Sequence, residues 1–426
     1  MSSEDEEYSS GAGDADENVP IEQTNEESDA EEHFDITLAA SHSYMGAGLE
    51  AIKGRSVLEA GWTGKVPVIA HHGAVFPGET VPMLLTNSHD AAMVHETLRS
   101  DKLFGLLCPD ETGNYVSGYG VLCEVFEARV LEDNIHPNNI VFKARAINRF
   151  RFLQMPRTPQ SIHIYIRMRL LDVIVPAEVE HGEPLREIRL ASLDRWRRDK
   201  DRNVNSCQLR KMDALMTSWP LFVYDIFDFR RMRHTICEFF RSITKADIPD
   251  SPVALSFWVA SNLALSPRER LALFIVDDAL LRLHMAIRLM GRLSVMFCSA
   301  CTTVVAKWED VFSMSSEGPH SNYTNLVGYM HDILTVRTAD NLETSGPPSA
   351  EFSWFPGYKW TIMVCRCCMV HIGWRFDAEK PTLRPRRFFA LSRNHMQFGA
   401  RSAAAPPSRD PVRSITVDLH SYTTLT

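Results

Sequence analysis

Apolar and polar positions alternate along the first part of the chain and later change period. In "SIHIYIRMRLLDVIVP", from Ser161, the residues Ile162, Ile164, Ile166 and Met168 share one face, with His163, Tyr165, Arg167 and Arg169 on the other. A period of two predicts a half-buried strand. "VLCEVFEARV" and "IVFKARAI" repeat the pattern, and "VFPGETVP" places Pro77-Gly78 as a turn between extended pieces. One helix is expected among these strands, with Asn87 as N-cap and Val94 and Leu98 one turn apart. Residues 61–187 thus read as a β-rich domain, a barrel or folded-over sheet.

From about Leu190 the period becomes helical. Ser266-Pro267-Arg268-Glu269 offers an N-cap, a proline at the first helical position and a glutamate that completes a capping box. Leu281, Met285 and Leu289 recur at four-residue spacing, as do Met232, Ile236 and Phe240. Residues 188–293 are therefore expected to form a helical bundle. Beyond Met296 come short strands punctuated by Gly and Pro and rich in Cys and aromatic residues, over 294–400, followed by a flexible tail at 401–426. The fold class is α+β and multidomain.

Charge changes the picture at the N-terminus. Residues 1–35 hold fourteen Asp and Glu and no Lys or Arg, so removing them from the formal net charge of −9 leaves a mildly basic remainder of about +5. Such a segment buries too little apolar surface to offset its ordering entropy, so residues 1–60 are expected to be an acidic disordered tail. No basic and apolar leader opens the sequence. The longest apolar run, from Leu271, is interrupted by Asp277, Asp278, Arg282, Arg288 and Arg292, which predicts a soluble amphipathic helix and no membrane span. Nine cysteines without a secretory signal point to a reducing compartment, cytoplasm or nucleus, with the thiols used for metal or packing. In that setting the sequon at Asn322 reads as chance.

Two C-x2-C knuckles, Cys298 with Cys301 and Cys365 with Cys368, supply the four thiolates that tetrahedral Zn(II) accepts. Buried hydrophobic cysteines or a redox pair are the competing readings, but a redox motif needs one knuckle beside a βαβ pattern. One structural Zn(II) is expected, with Cys367 a free neighbour. A site closed by four thiolates leaves no open position for catalysis.

"SWFPGYKWTIMVCRCCMVHIGWRF", from Ser353, surrounds the second knuckle with Trp354, Trp360 and Trp374. Pro356-Gly357 is a turn able to face two indoles, and Trp374 and Phe376 share a strand face. Spacing alone leaves core packing and an aromatic pocket both open.

This stretch, with "NLVGYMHDILTV" from Asn325 and the Cys298 knuckle, resembles the thalidomide-binding CULT domain of the cereblon family, a mainly β, zinc-stapled β-tent. "VIAHHGAVFPGETVPMLL" is similar to the Lon N-terminal domain that precedes it in that family. "SWPLFVYDIFDF" and "LSPRERLALF" are similar to the family's helical bundle. The resemblance covers residues 60 to 400. It implies a three-tryptophan cage for cyclic imides, walled by Trp354, Trp360 and Trp374 with Phe376 behind. It also implies Asn325 at the mouth and backbone hydrogen bonds from Phe352 and Trp354. Phe352 stands where the vertebrate pattern has His, and Leu326-Val327 where it has Pro-His, which implies a greasier rim.

The resemblance further implies a substrate receptor of a cullin-4 RING ubiquitin ligase. The damaged-DNA-binding-protein-1 adaptor would dock on residues 195–244, where Phe222, Tyr224 and Phe227 offer apolar surface. Substrate proteins and cyclic-imide small molecules are the implied ligands, with no direct nucleic-acid or membrane contact. The sequence holds no G-x-x-x-x-G-K-[ST] loop. His71, His72, His320, His331, Cys123 and Cys237 read as packing or surface residues, so no catalysis is expected. The competing class is a stand-alone, zinc-stapled aromatic cage that reads a modified side chain or small metabolite.

Overall fold

Alternating residues close the N-terminal strands into a barrel. The computed structural model describes residues 31–53, 57–71, 73–131, 139–154, 161, 169–180 and 228–399. Within it the strand Val116–Leu131 pairs with both Leu103–Pro109 and Asn139–Phe152. Thr63–Ala70 and Arg169–Ile174 complete the ring, and Glu50–Ala51 and Thr80–Leu85 are attached at its sides. The interior is filled by Val68, Leu107, Leu122 and Phe150, each nearly or fully buried. Asn87 caps the single helix expected among the strands, Ser88–Arg99, by accepting from the His89 N–H. The Pro77-Gly78 turn is present, with Gly78 at φ 99°.

The helices follow. Ser266 and Glu269 form the reciprocal capping box ahead of Pro267–Phe274. Met232, Ile236 and Phe240 are the buried stripe of Phe229–Phe240. The run from Leu271 divides into two helices, because Asp278 caps a new one at Ala279–Met290. Its buried face is Leu280, Leu283, Ala286 and Met290, one position off the expected stripe, and Arg282 is buried with it. Arg282 is retained there because it donates to Glu178 at 2.7 Å and Ser256 at 2.6 Å and lies over the Phe257 ring. Its partner Arg149, equally buried, pairs with Glu178 from the barrel side.

The C-terminal part is two antiparallel sheets. The larger runs His320–Thr324, Met330–Val336, Arg387–Ser392, His371–Ala378, Tyr358–Cys365 and Leu342–Ser349. The smaller joins Val304–Lys307, Val295–Cys298 and Met396–Gly399. One apolar cluster passes without a break from barrel residues such as Phe104 and Phe142, through the helices, to Cys298, Cys365 and Leu391. The architecture is α+β and multidomain, as expected.

One expectation needs amendment. The disorder expected over residues 1–60 does not extend to residue 60: from Glu32 the chain pairs in parallel with Leu383–Arg384, forms the helix Ile36–Ala40 and joins the barrel at Glu50–Ala51. Phe34, Ala39 and Tyr44 pack on the C-terminal sheet, which supplies the apolar contacts that the acidic composition hid. Residues 1–30, 162–168 of the strand read from Ser161, 188–227 of the bundle with Phe222, Tyr224 and Phe227, and the tail from 401 lie outside the described residues. Among the described residues no helix is long and apolar enough to cross a membrane.

Candidate functional site

The two knuckles share one backbone design. The N–H of Cys298 bonds to the Thr303 carbonyl at 2.9 Å, and that of Thr302 returns to Cys298. The N–H of Cys365 bonds to the Val370 carbonyl at 2.8 Å, and that of Met369 returns to Cys365. Each loop turns through a left-handed residue, Thr302 at φ 58° and Met369 at φ 59°. This geometry aims both sulfurs of a knuckle the same way.

The four Sγ atoms of Cys298, Cys301, Cys365 and Cys368 lie within 4.8 Å of one another. Cross-knuckle pairs, Cys298 with Cys368 and Cys301 with Cys365, stand 3.5 Å apart. Bonds of about 2.3 Å to a tetrahedral Zn(II) place sulfurs roughly 3.8 Å apart, so the donor set fits one structural zinc ion. The Thr303 hydroxyl, 3.2 Å from Cys301, brings that thiol down to about 6 and favours the thiolate a metal needs. Cys367 is exposed and outside the cluster. Bound there, the ion ties the strand ending at Cys298 to the one ending at Cys365.

Just before that second strand, Pro356 and Gly357 fill the centre of a turn closed by the Tyr358 N–H on the Phe355 carbonyl at 3.1 Å, with Gly357 at φ 88°. This is a type II turn, in which glycine is the natural residue. It does not stack Trp354 on Trp360. Trp354 instead lies parallel to Tyr323, at 5.2 Å and 17°, and meets the Trp374 ring edge-on at 4.7 Å and 70°. Trp360 and Phe376 face each other across paired strands, as do Ile362 and Trp374, so the four side chains share a face.

These residues enclose a cavity of ≈ 580 Å³ whose lining includes Asn325, Phe352, Trp354, Trp360, Trp374 and Phe376, all six residues singled out above. Trp354 and Phe376 form its buried end. Two indole N–H groups are tied back to main chain, Trp354 to the Thr324 carbonyl at 3.0 Å and Trp360 to that of Glu351 at 2.8 Å. The rings therefore present faces, an apolar surface with little unmet polarity. Asn325 lines the mouth, but its Oδ1 accepts from the Val327 and Tyr329 N–H groups, so the side chain shapes the turn there. Phe352 sits at φ 52° with Tyr44 edge-on at 5.0 Å.

Several lining residues were not anticipated. Ile362 and Val364 continue the Trp360 face at period two, a signal present in the sequence. His331 and His371 flank Trp374 at 4.8 and 4.6 Å. Burial pushes the first down to about 3 and the second to about 4, so both rings are neutral near pH 7. Glu351, exposed at the edge, adds a carboxylate. Tyr44 accepts the Thr324 N–H at 3.0 Å, and nothing in its local sequence announces that contact. His320 is elsewhere, paired with buried Asp332, and buried Asn322 of the sequon donates to Glu79 at 2.8 Å.

A family model described as the ATP-dependent protease La (LON) substrate-binding domain matches residues 65–292. One described as Yippee zinc-binding/DNA-binding/Mis18, centromere assembly, matches residues 294–405. "Protein cereblon" of Drosophila grimshawi is 32% identical over 394 residues, 89% of this chain and 56% of its own length. That of Danio rerio is 30% identical over 376 residues, 85% of this chain and 87% of its own, and that of Gallus gallus is 29% identical over 381 residues, 85% and 84%. The chain thus spans little more than half the length of the fly relatives. A solved Lon N-terminal domain protein from Xanthomonas campestris covers 53% of this chain and 98% of its own at 16% identity and a TM-score of 0.30, too slight a likeness to add to the sequence matches.

Proposed function

This chain belongs to the cereblon family, and from that premise we propose that it is a non-catalytic substrate receptor that grips cyclic imides between Trp354, Trp360 and Trp374. The observation behind this reading is the ≈ 580 Å³ cavity with indole faces for walls, the N–H groups of Trp354 and Trp360 already satisfied by main chain. A glutarimide or a cyclised C-terminal Asn or Gln is flat and neutral, with one N–H and two carbonyls. Apolar walls exclude water around its ring while backbone groups from Phe352 to Trp354 meet its polar edge.

The receptor serves a cullin-4 RING ubiquitin ligase through the damaged-DNA-binding-protein-1 adaptor, which docks on residues 195–244. Its work is to hold a substrate lysine near a ubiquitin thioester, a proximity effect that asks for no nucleophile in this chain. Cytoplasm and nucleus are where such a ligase meets its substrates. Zinc takes no chemical part; Cys298, Cys301, Cys365 and Cys368 hold it so that the strands carrying the indoles keep their register.

Glu351 favours one other reading, a stand-alone cage in which indole faces and a carboxylate hold a methylated ammonium. Its exposure argues against this, since a solvated carboxylate adds little. Indole fluorescence separates the two: glutarimide should quench it saturably while tetramethylammonium leaves it unchanged. The reverse result would replace the imide reading, and purification from cells without adaptor and cullin would remove the ligase role.

A further inference from the structure

The cavity extends beyond what a single imide ring fills. Trp354 and Phe376 are its buried end, whereas Leu326, Val327 and Met369, also in its wall, are 52%, 74% and 60% exposed. A volume of ≈ 580 Å³ suits a drug-sized ligand, so a ring seated between the indoles leaves the outer part for whatever the ring is attached to.

That outer part is apolar and held rigidly. Leu326 and Val327 ride on a turn fixed by Asn325 Oδ1 and by Gly328, which at φ 84° lies so near the Leu84 carbonyl that a Cβ would come within 2.3 Å. Met369 is presented by the zinc knuckle at φ 59°, a left-handed position that ordinarily goes to Gly or Asn. Ile362 continues the apolar surface inward. Apolar side chains fixed in water by two stiff turns are pre-organised to be covered. With His331 and His371 neutral, the exposed Glu351 is the single charge among the described residues of the wall.

We infer that the substrates of this site are chains whose terminal cyclic imide is directly preceded by a large apolar residue, which lies across Val327 and Met369, and that a charged residue there gains no such contact. This rests on the imide reading above and goes further by specifying the residue next to the ring.

The test uses the full-length, zinc-loaded protein and four probes in calorimetry. These are plain glutarimide and acetylated dipeptides ending in cyclised glutamine preceded by Leu, Gly or Glu. Covering the rim with a leucine should tighten binding about tenfold over the glycine probe, and the glutamate probe should gain nothing over glycine. In the double variant Val327→Ser, Met369→Asn the advantage of leucine over glycine should vanish, while affinity for plain glutarimide and zinc content stay unchanged. Asn is chosen because it tolerates the left-handed backbone. Equal binding of the leucine and glycine probes, or a preference that survives in the double variant, overturns the inference while leaving the imide reading intact. A protein that binds none of the four overturns the reading, and the inference with it.

Discussion

Trp360 is held by one hydrogen bond to the Glu351 carbonyl and by Phe376 across the strands, and it is only partly buried. Trp354, by contrast, is wedged between Tyr323 and Trp374 and belongs to the core. The two indoles should therefore respond differently to truncation. Trp360→Ala is expected to weaken glutarimide binding by about 1–3 kcal/mol, roughly five- to 150-fold, with one zinc per chain retained; calorimetry beside a metal assay checks both. Trp354→Ala is expected to cost about 3–5 kcal/mol of stability as well, visible as an earlier urea midpoint. At this scale the sequence was a fair guide to residue type and a poor one to environment. The four cysteines could be read from spacing, whereas the three tryptophans as pocket walls came from the family resemblance, because spacing alone left core packing open. Arg282 could be read from neither, because its counter-charge, Glu178, is far off in sequence, so the residue looked like a solvated interruption of the helix.

The two knuckles lie in different sheets, Cys298 in the smaller and Cys365 in the larger. Because Cys298 and Cys365 each end the first strand of a hairpin whose loop reverses through a left-handed residue, the ion ties two local hairpins to each other across about sixty residues of chain. Cys368→Ser, or chelation of the wild type, should lower zinc content and abolish glutarimide binding together. Imide binding that outlasts the metal would mean the indoles hold their places unaided. The histidines beside Trp374 give a second expectation. His331 and His371 are pushed below the ordinary histidine value, chiefly by burial, to about 3 and about 4. Between those values and about 6.5 the unfolded chain takes up protons that the folded sheet refuses, so stability should fall as pH drops from about 6.5 to 4 and be level in this respect above 7. Glutarimide is neutral throughout, so its affinity should stay flat from pH 8 to 5 while the melting temperature declines. A binding curve that follows the histidine titration would contradict this. Neither depression is visible in sequence, since both arise from neighbours brought together by the strands Met330–Val336 and His371–Ala378.

For the whole molecule, what matters is how the barrel and the C-terminal sheet meet. The strand Thr80–Leu85 lies against His320–Thr324, and across that seam Asn322 donates to Glu79 and Thr80 to Glu317, with Arg145 3.1 Å from the same carboxylate. Tyr44 adds a contact from the N-terminal segment by accepting the Thr324 N–H. Alternation and capping signals described the elements on either side of this seam but not the seam itself, because polar residues such as Asn322 read as surface in a linear pattern. With Asn322 only 2% exposed, Asn322→Ala leaves the buried Glu79 carboxylate short of a donor, at a cost of about 1–3 kcal/mol. Where that cost appears depends on whether the parts unfold together. One apolar cluster joins barrel, helices and zinc-bearing strands, so barrel and sheet should lose structure in one transition. Urea unfolding followed by far-ultraviolet dichroism and by indole fluorescence should then coincide, and the substitution should shift both curves equally. If the indole signal moved alone, the seam would be a contact between independently folding bodies, and the barrel could no longer be said to brace the strands that wall the pocket.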